Sequence, residues 1–291
     1  MFAGPLPDIP ALFVHASVSR HGGIAISATG IGGDAAEARL RHDAERAERI
    51  ALAQTGNPAQ LAPDPPRRTL RGVAAGRDNM ASVEHRALLE LIERRACLSW
   101  WRGHRAAYDP GPQTRTAFEA AQLRWTRKTP RRTGLLQLGG AGLPPTCIAW
   151  SCDPSGRSLC FGTACRSDGP RAAIAALREL CQMEFGLSVI RHRSANGQKL
   201  AASEAALLDR AQNLSITALA SRLRPVDQAA DSFAGDLPSA LASAGIAVSL
   251  THLPRPVAGH SVVIATGRDP EAVSPGENRC QTAMRWNLYG A

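Results

Sequence analysis

Two stretches of this sequence repeat one arrangement of charge. Glu45, Glu48 and Arg49 in Ala44-Glu45-Arg46-Ala47-Glu48-Arg49 stand at i, i+3 and i+4, and Glu90, Glu93 and Arg94 keep the same spacing. On an α-helix these offsets share one face. A third stretch, Glu179-Leu180-Cys181-Gln182, holds the spacing with an amide in second place. One such group is ordinary surface decoration, its ion pair worth only ~0.2–0.5 kcal/mol. Three of them point past decoration. Carboxylates and a guanidinium at the edge of a buried face suit a hydrated divalent cation and the phosphates beside it.

The surrounding residues place all three on helices. Residues 34–53 lack Gly and Pro and are rich in Ala, Glu and Arg, so a helix is predicted. Asp34 caps it, Glu37 reaches back to the cap, and Ala36, Leu40, Ala44, Ala47 and Ala51 form its buried stripe. The second helix starts with Ser82 as cap and runs to about Trp101. The third starts at Asp168-Gly169-Pro170 and buries Ala173, Ala176, Leu177 and Leu180. Weaker helical patterns cover 115–128 and 203–224.

Strand patterns cover 12–19 and 24–29, which flank the turn His21-Gly22-Gly23. Others cover 135–138, 146–152, 158–165, 245–251 and 261–266. Gly30-Ile31-Gly32-Gly33 reads as a close-approach turn bordering the site. It completes neither phosphate-binding glycine pattern, and Asp34 behind it would repel an anion. The stretch 54–76, with Pro58, Pro63, Pro65 and Pro66, reads as a link, and 269–291 as irregular. Helices and strands interleave without regular βαβ spacing. The fold class expected is α/β in the mixed α+β sense, a mixed sheet with helices packed on it, as a single domain over 1–291.

Composition narrows the function. The net charge of +9 suits anionic partners such as nucleotide phosphates or an acidic peptide, but it is scattered and seldom beside aromatics, so no nucleic-acid groove is expected. No apolar run is long enough for a membrane span, and residues 1–14 lack the basic start of a secretory signal, which gives a cytoplasmic expectation. Seven cysteines without an export signal argue against a disulfide framework. Cys147, Cys152, Cys160 and Cys165 fall on two strands at a spacing foreign to zinc knuckles and read as buried thiols. Trp100 and Trp101 read as packing anchors.

In their order, the glycines at 30–33, the motif 44–49, Ala87-Leu88-Leu89-Glu90-Leu91-Ile92-Glu93-Arg94 and the run from Pro144 to Gln182 resemble the YcaO family. The resemblance extends from about Gly30 to Gln182. It implies an ATP-dependent, Mg²⁺-dependent enzyme that activates backbone amides of a ribosomally made precursor peptide. A nucleophile adds to the amide carbonyl, ATP phosphorylates the resulting oxyanion, and phosphate leaves. An internal Cys, Ser or Thr as nucleophile gives an azoline ring; an external sulfur donor gives a thioamide. Azoline formation is the first expectation and thioamide formation the alternative. A degenerate member that binds peptide or partner without turnover is a further alternative.

Carried onto this sequence, the resemblance assigns Glu45, Glu48, Arg49, Glu179 and Gln182 to the nucleotide, and Glu45, Glu48 and Glu179 to the metal. It singles out no catalytic group. Glu90 and Glu93 are open between the same site and a structural ion pair with an arginine. Arg41 stands where the family usually has a small hydroxyl residue, Ala172 takes a comparable place before Glu179, and Ile31 stands where a lysine is common. A late acid–arginine contact falls to Glu271 or Glu277 with Arg279 or Arg285. Residues 284–291 lack the prolines of ring-forming relatives. A separate partner that recognises the precursor's leader is expected, and a homodimer is compatible with the chain.

Overall fold

The structure, a computed structural model, describes residues 1–54, 69–138, 142–220, 231–254 and 256–268, with 223, 225, 227 and 229. Glu271, Glu277, Arg279, Arg285 and residues 284–291 lie outside the described residues.

The chain opens as a meander of β1 (Phe2–Pro5), β2 (Phe13–His21) and β3 (Ile24–Gly32), with β2 in the centre. Gly22 and Gly23 join β2 to β3 at φ of 56° and 83°, the left-handed pair that a two-residue hairpin favours. Helix α1 (Ala35–Gln54) then returns over β3. The approach is backbone on backbone: a Cβ on Gly30 would stand 2.1 Å from the Ala38 carbonyl oxygen, and one on Gly32 2.6 Å from the Ala38 nitrogen. Gly30 and Gly32 thus lie in the strand and make the close approach expected of them, but in no turn.

Two similar units follow. β4 (Thr69–Gly76) leads into α2 (Met80–Trp101), which packs on it. After α3 (Pro112–Arg124), the hairpin strands β5 (Arg132–Leu138), β6 (Thr146–Cys152) and β7 (Cys160–Cys165) lead into α4 (Gly169–Ala195), which packs on β7. Again a glycine sits at each crossing. A Cβ on Gly72 would meet the Ala87 carbonyl at 2.1 Å, and one on Gly162 would meet the Leu180 nitrogen at 2.1 Å. The chain ends its described course with α5 (Ala202–Asn213), a short 3-10 turn at Thr217–Leu219, α6 (Leu237–Ser243), β8 (Ala247–His252) and β9 (Ser261–Arg268). β9 lies between β4 and β8, so a late strand completes the second sheet.

Among the described residues, six α-helices pack on three antiparallel sheets, ordered β1-β2-β3, β4-β9-β8 and β5-β6-β7. The class is the mixed α+β expected, but the sheet comes in three antiparallel parts, not one part of mixed direction. β3, β4 and β7 are each the edge of their sheet, and each helix leans over to a second edge: α1 to β4, α2 to β7 and α4 to β3. The arrangement is cyclic, every helix joining its own strand to the next one.

Apolar burial holds the ring closed. Ala172, Ala173, Ala176, Leu177 and Leu180 of α4 are wholly buried against Val14, Ile31, Cys147 and Ala164 from two sheets. Each fully buried leucine contributes about 1.5–3 kcal/mol. Trp100 is buried and meets Phe161 edge-on at 6.2 Å, the anchoring expected of it. The four hairpin cysteines are buried and free, and burial pushes the thiols of Cys160 and Cys165 up to about 12.

Several sequence expectations shift. The α1 stripe is Ala38, His42, Ala47, Ile50 and Ala51, while Ala36 and Leu40 face water. The helix is turned because Gly30 and Gly32 admit the Ala38 and His42 backbone. Asn79, not Ser82, caps α2 by accepting the Ser82 N–H. Asp34 accepts the Glu37 N–H as expected, but the Glu37 carboxylate accepts from Gly33, one residue before the cap. Strand β4 lies within the stretch read as a link; its Gly72, a breaker by composition, is required at the α2 crossing.

Candidate active site at the sheet edges

A sheet edge leaves backbone N–H groups unpaired, and a buried unpaired N–H costs about as much as a lost hydrogen bond. Here glutamates supply the acceptors. Glu45 of α1 accepts the Thr29 N–H of its own strand β3 at 2.8 Å. Glu48, one turn later, reaches the next sheet and accepts the Ala75 N–H of β4 at 2.9 Å. The second helix repeats the scheme. Glu90 accepts the Val73 N–H of its own strand β4 at 3.0 Å, and Glu93 reaches on to β7, accepting from Cys165 N at 3.2 Å and Thr163 Oγ1 at 2.6 Å.

The arginine four residues after each first acid completes these two units. Arg49 donates Nε and Nη2 to Glu45 Oε1 at 3.0 and 2.8 Å, and Arg94 donates Nη2 to Glu90 Oε1. Both pairs are partly shielded from water, which raises them above the value of an exposed i, i+4 pair.

The third unit breaks the scheme. Met183 stands four residues after Glu179 where the other helices have arginine. Among the described residues, no hydrogen bond reaches the side chain of Glu179 or Gln182. Glu179 is open to solvent, yet its pKa rises to about 7 because protein surrounds it, with Glu45 and Glu93 adding repulsion.

The five carboxylates form an electrostatic ring. Glu48 is raised well above the ordinary range by burial and then by Glu90 and Glu45. Glu93 is raised by burial and by Glu90, and Glu179 by burial, Glu45 and Glu93. Helix by helix, the acids link as 45–48–90–93–179 and back to 45. Arg166 offsets the charge at both Glu93 and Glu179. An all-oxygen, charge-surplus donor set of this kind fits a hard divalent cation.

Glu45, Glu48 and Arg49 thus lie together on α1, Glu179 of α4 stands within electrostatic reach of Glu45, and Gln182 follows Glu179 three residues on along α4. Glu90 and Glu93 belong to the same ring, and Glu90 also makes the ion pair that was the other reading. Ile31 is a core residue, 1% exposed, and Ala172 is wholly buried; neither presents a group to the site. Sequence reasoning missed the backbone N–H groups of Thr29, Val73, Ala75 and Cys165, which no residue type announces. It also missed Glu37 and Arg178 as site neighbours. Arg178 Nη1 stands 3.3 Å from Glu37 Oε1, bringing α4 to the start of α1.

A three-sheet fold with a ring of glutamates between its edges offers the charge and oxygen donors that suit a divalent cation. The sequence profile of the YcaO family, described as YcaO cyclodehydratase, ATP- and Mg²⁺-binding, matches residues 55–266, and the chain belongs to that family. ATP and Mg²⁺ are its cofactors. YcaO from Methanopyrus kandleri, bound with AMPPCP and Mg²⁺, is similar in structure at a TM-score of 0.63 and 17% identity, over 91% of this chain and 83% of that one. A heterocyclase in complex with substrate and cofactor is similar at a TM-score of 0.57 and 15% identity, over 83% of this chain and 44% of the heterocyclase. The chain thus spans less than half of that heterocyclase's length. No protein with a curated description matches the chain.

Proposed function

We propose that this chain activates backbone amides of a ribosomally made precursor peptide by ATP-dependent phosphorylation of the amide oxygen, closing azoline rings. The observation that carries this reading is Glu179. Every other acid of the ring accepts a backbone hydrogen bond, and the Glu179 side chain accepts none among the described residues. A carboxyl kept free in a ring of like charge is a cost to the fold that a bound cation removes.

Glu179 and Glu48 would hold the cation, with Glu45, whose two oxygens already accept from Thr29 and Arg49, adding its charge beside them. Among the described residues, no three His, Cys, Asp or Glu side chains converge closely enough to cage a bare ion. Sharing the ion with water and phosphate oxygens is the ordinary habit of Mg²⁺. Arg49 orients Glu45 through its two hydrogen bonds, and Gln182 offers an amide to the nucleotide from the same face of α4. Bound there, ATP would supply the phosphoryl group that turns an amide oxygen into a leaving group, and Mg²⁺ would neutralise phosphate charge. The protein's share is positioning and charge neutralisation. The precursor peptide is the substrate, presented by a partner protein that recognises its leader.

The test has two stages. Calorimetric titration with ATP should show binding with Mg²⁺ present and none in EDTA. Equal affinity in both, or no binding in either, sinks the nucleotide site. Mass spectrometry of precursor incubated with enzyme, partner and ATP should show loss of one water per modified residue. Exchange of one oxygen for sulfur, given a sulfur source, would replace ring closure by thioamide formation. An unchanged mass would leave a binding protein without turnover.

A further inference from the structure

The start of α1 carries a second group of charges beside the carboxylate ring. Glu37 Oε1 accepts from Arg41 Nε at 3.0 Å and Nη2 at 2.9 Å, and Arg178 Nη1 stands 3.3 Å from the same oxygen. The other oxygen, Oε2, accepts the Gly33 N–H at 2.7 Å. One carboxylate thus holds two guanidinium groups from two helices, which leaves one positive charge in excess. These helices are the ones that bear Glu45 and Glu179. Arg41 lies one turn before Glu45, and Arg178 directly precedes Glu179 in the chain.

The pair is costly as it stands. Arg178 is mostly buried, with its side chain 17% exposed, and its Nε is buried without a hydrogen-bond partner. Its guanidinium lies over the Trp125 ring, 5.7 Å from the centroid. Burial and Arg41 both work against its charge. Arg41 is 42% exposed, and among the described residues its Nη1 makes no hydrogen bond. Two like charges are held together at the border of an acidic ring. That arrangement suits an anion that also binds the ring's cation, and a nucleotide's phosphate chain is such an anion.

Resting on the reading of the site as an ATP–Mg²⁺ site, we propose that Arg41 and Arg178 bind the phosphate chain of the nucleotide, with Glu37 as their positioning residue. Arg41, which stands where a small hydroxyl is usual, then serves as a phosphate contact and not as damage to the site. Because the clamp reads phosphate charge, it favours ATP over AMP. Glu37→Gln keeps the shape but frees both arginines from their shared anchor.

The experiment is calorimetric titration of the full chain with ATP, ADP and AMP at fixed Mg²⁺, for the wild type, Arg41→Ser, Arg41→Lys and Glu37→Gln. Loss of a charge-assisted contact weakens binding about tenfold or more. Arg41→Ser should do this to ATP while leaving AMP within about threefold, and Arg41→Lys should recover part of the loss. Arg41 is exposed, so an unchanged melting temperature is expected and confirms that the variant is folded. If the wild type binds Mg²⁺-ATP and Arg41→Ser binds it equally, the clamp is overturned while the ATP site stands. An equal loss for AMP and ATP also overturns it. If the wild type binds no nucleotide, the site reading itself fails first.

Discussion

Glu48 of α1 accepts the N–H of Ala75, a residue of another sheet, at 2.9 Å. That bond ties the first unit of the fold to the second, as Glu93 and Cys165 tie the second to the third. The acids of the first two helices therefore do two things at once. They satisfy sheet edges, and they line the ring that Glu179 leaves open.

The two roles separate by substitution. Glu48 is held well above the ordinary carboxylate range, so Glu48→Gln keeps the acceptor and removes a charge the fold disfavours. Its unfolding free energy should equal or exceed that of the wild type, while Mg²⁺-dependent ATP binding falls. Glu48→Ala leaves the Ala75 N–H unsatisfied and should cost about 1–3 kcal/mol. Urea denaturation of the two variants checks this; equal destabilisation by both would deny the edge role.

Met183 is the residue that keeps the third unit open. Met183→Arg would place an arginine four residues after Glu179, as Arg49 follows Glu45 and Arg94 follows Glu90. The new ion pair should weaken Mg²⁺-ATP binding by about tenfold or more with the circular dichroism spectrum unchanged. Retained affinity would mean that Glu179 does not receive the cation.

The elevated carboxyls set a pH dependence. Glu179 binds its proton more tightly in the folded chain, at about 7 against an ordinary 4.5. Its contribution is full below the unfolded value and is lost as pH rises through the folded one, and Glu48 and Glu93 act in the same sense. Metal-free protein should therefore melt at falling temperature between about pH 5 and pH 8. Added Mg²⁺ should raise the melting temperature more at the upper end than at the lower. A flat profile at low ionic strength would contradict the shifts.

Gly162 tests the helix crossing. A Cβ there would stand 2.1 Å from the Leu180 nitrogen and 2.2 Å from the Ala176 carbonyl, both backbone atoms. Gly162→Ala should destabilise the chain by about 1–3 kcal/mol or more and displace the turn that carries Glu179. Thermal melting and ATP titration should both respond. A variant as stable as the wild type would mean that α4 moves aside freely.

The sequence by itself determined the three long helices and the spacing of their acids. Unbroken Ala, Glu and Arg around residues 44–49, and the i, i+3 spacing repeated at Glu90 and Glu179, are local properties, and local periodicity survives without tertiary context. The hairpin at Gly22-Gly23 and strands such as β6 were legible for the same reason. What only the tertiary structure decided is where each acid finds its partner. The Ala75 N–H lies 27 residues from Glu48, and the Cys165 N–H 72 from Glu93, and backbone groups carry no sequence signature. The meaning of the glycines was likewise hidden. Gly72 breaks a strand by composition, but it is required where α2 crosses β4, so that strand passed for a link. The clamp of Arg41 and Arg178 was illegible too, because Glu37 joins two residues far apart in the chain only once α4 has folded against the start of α1.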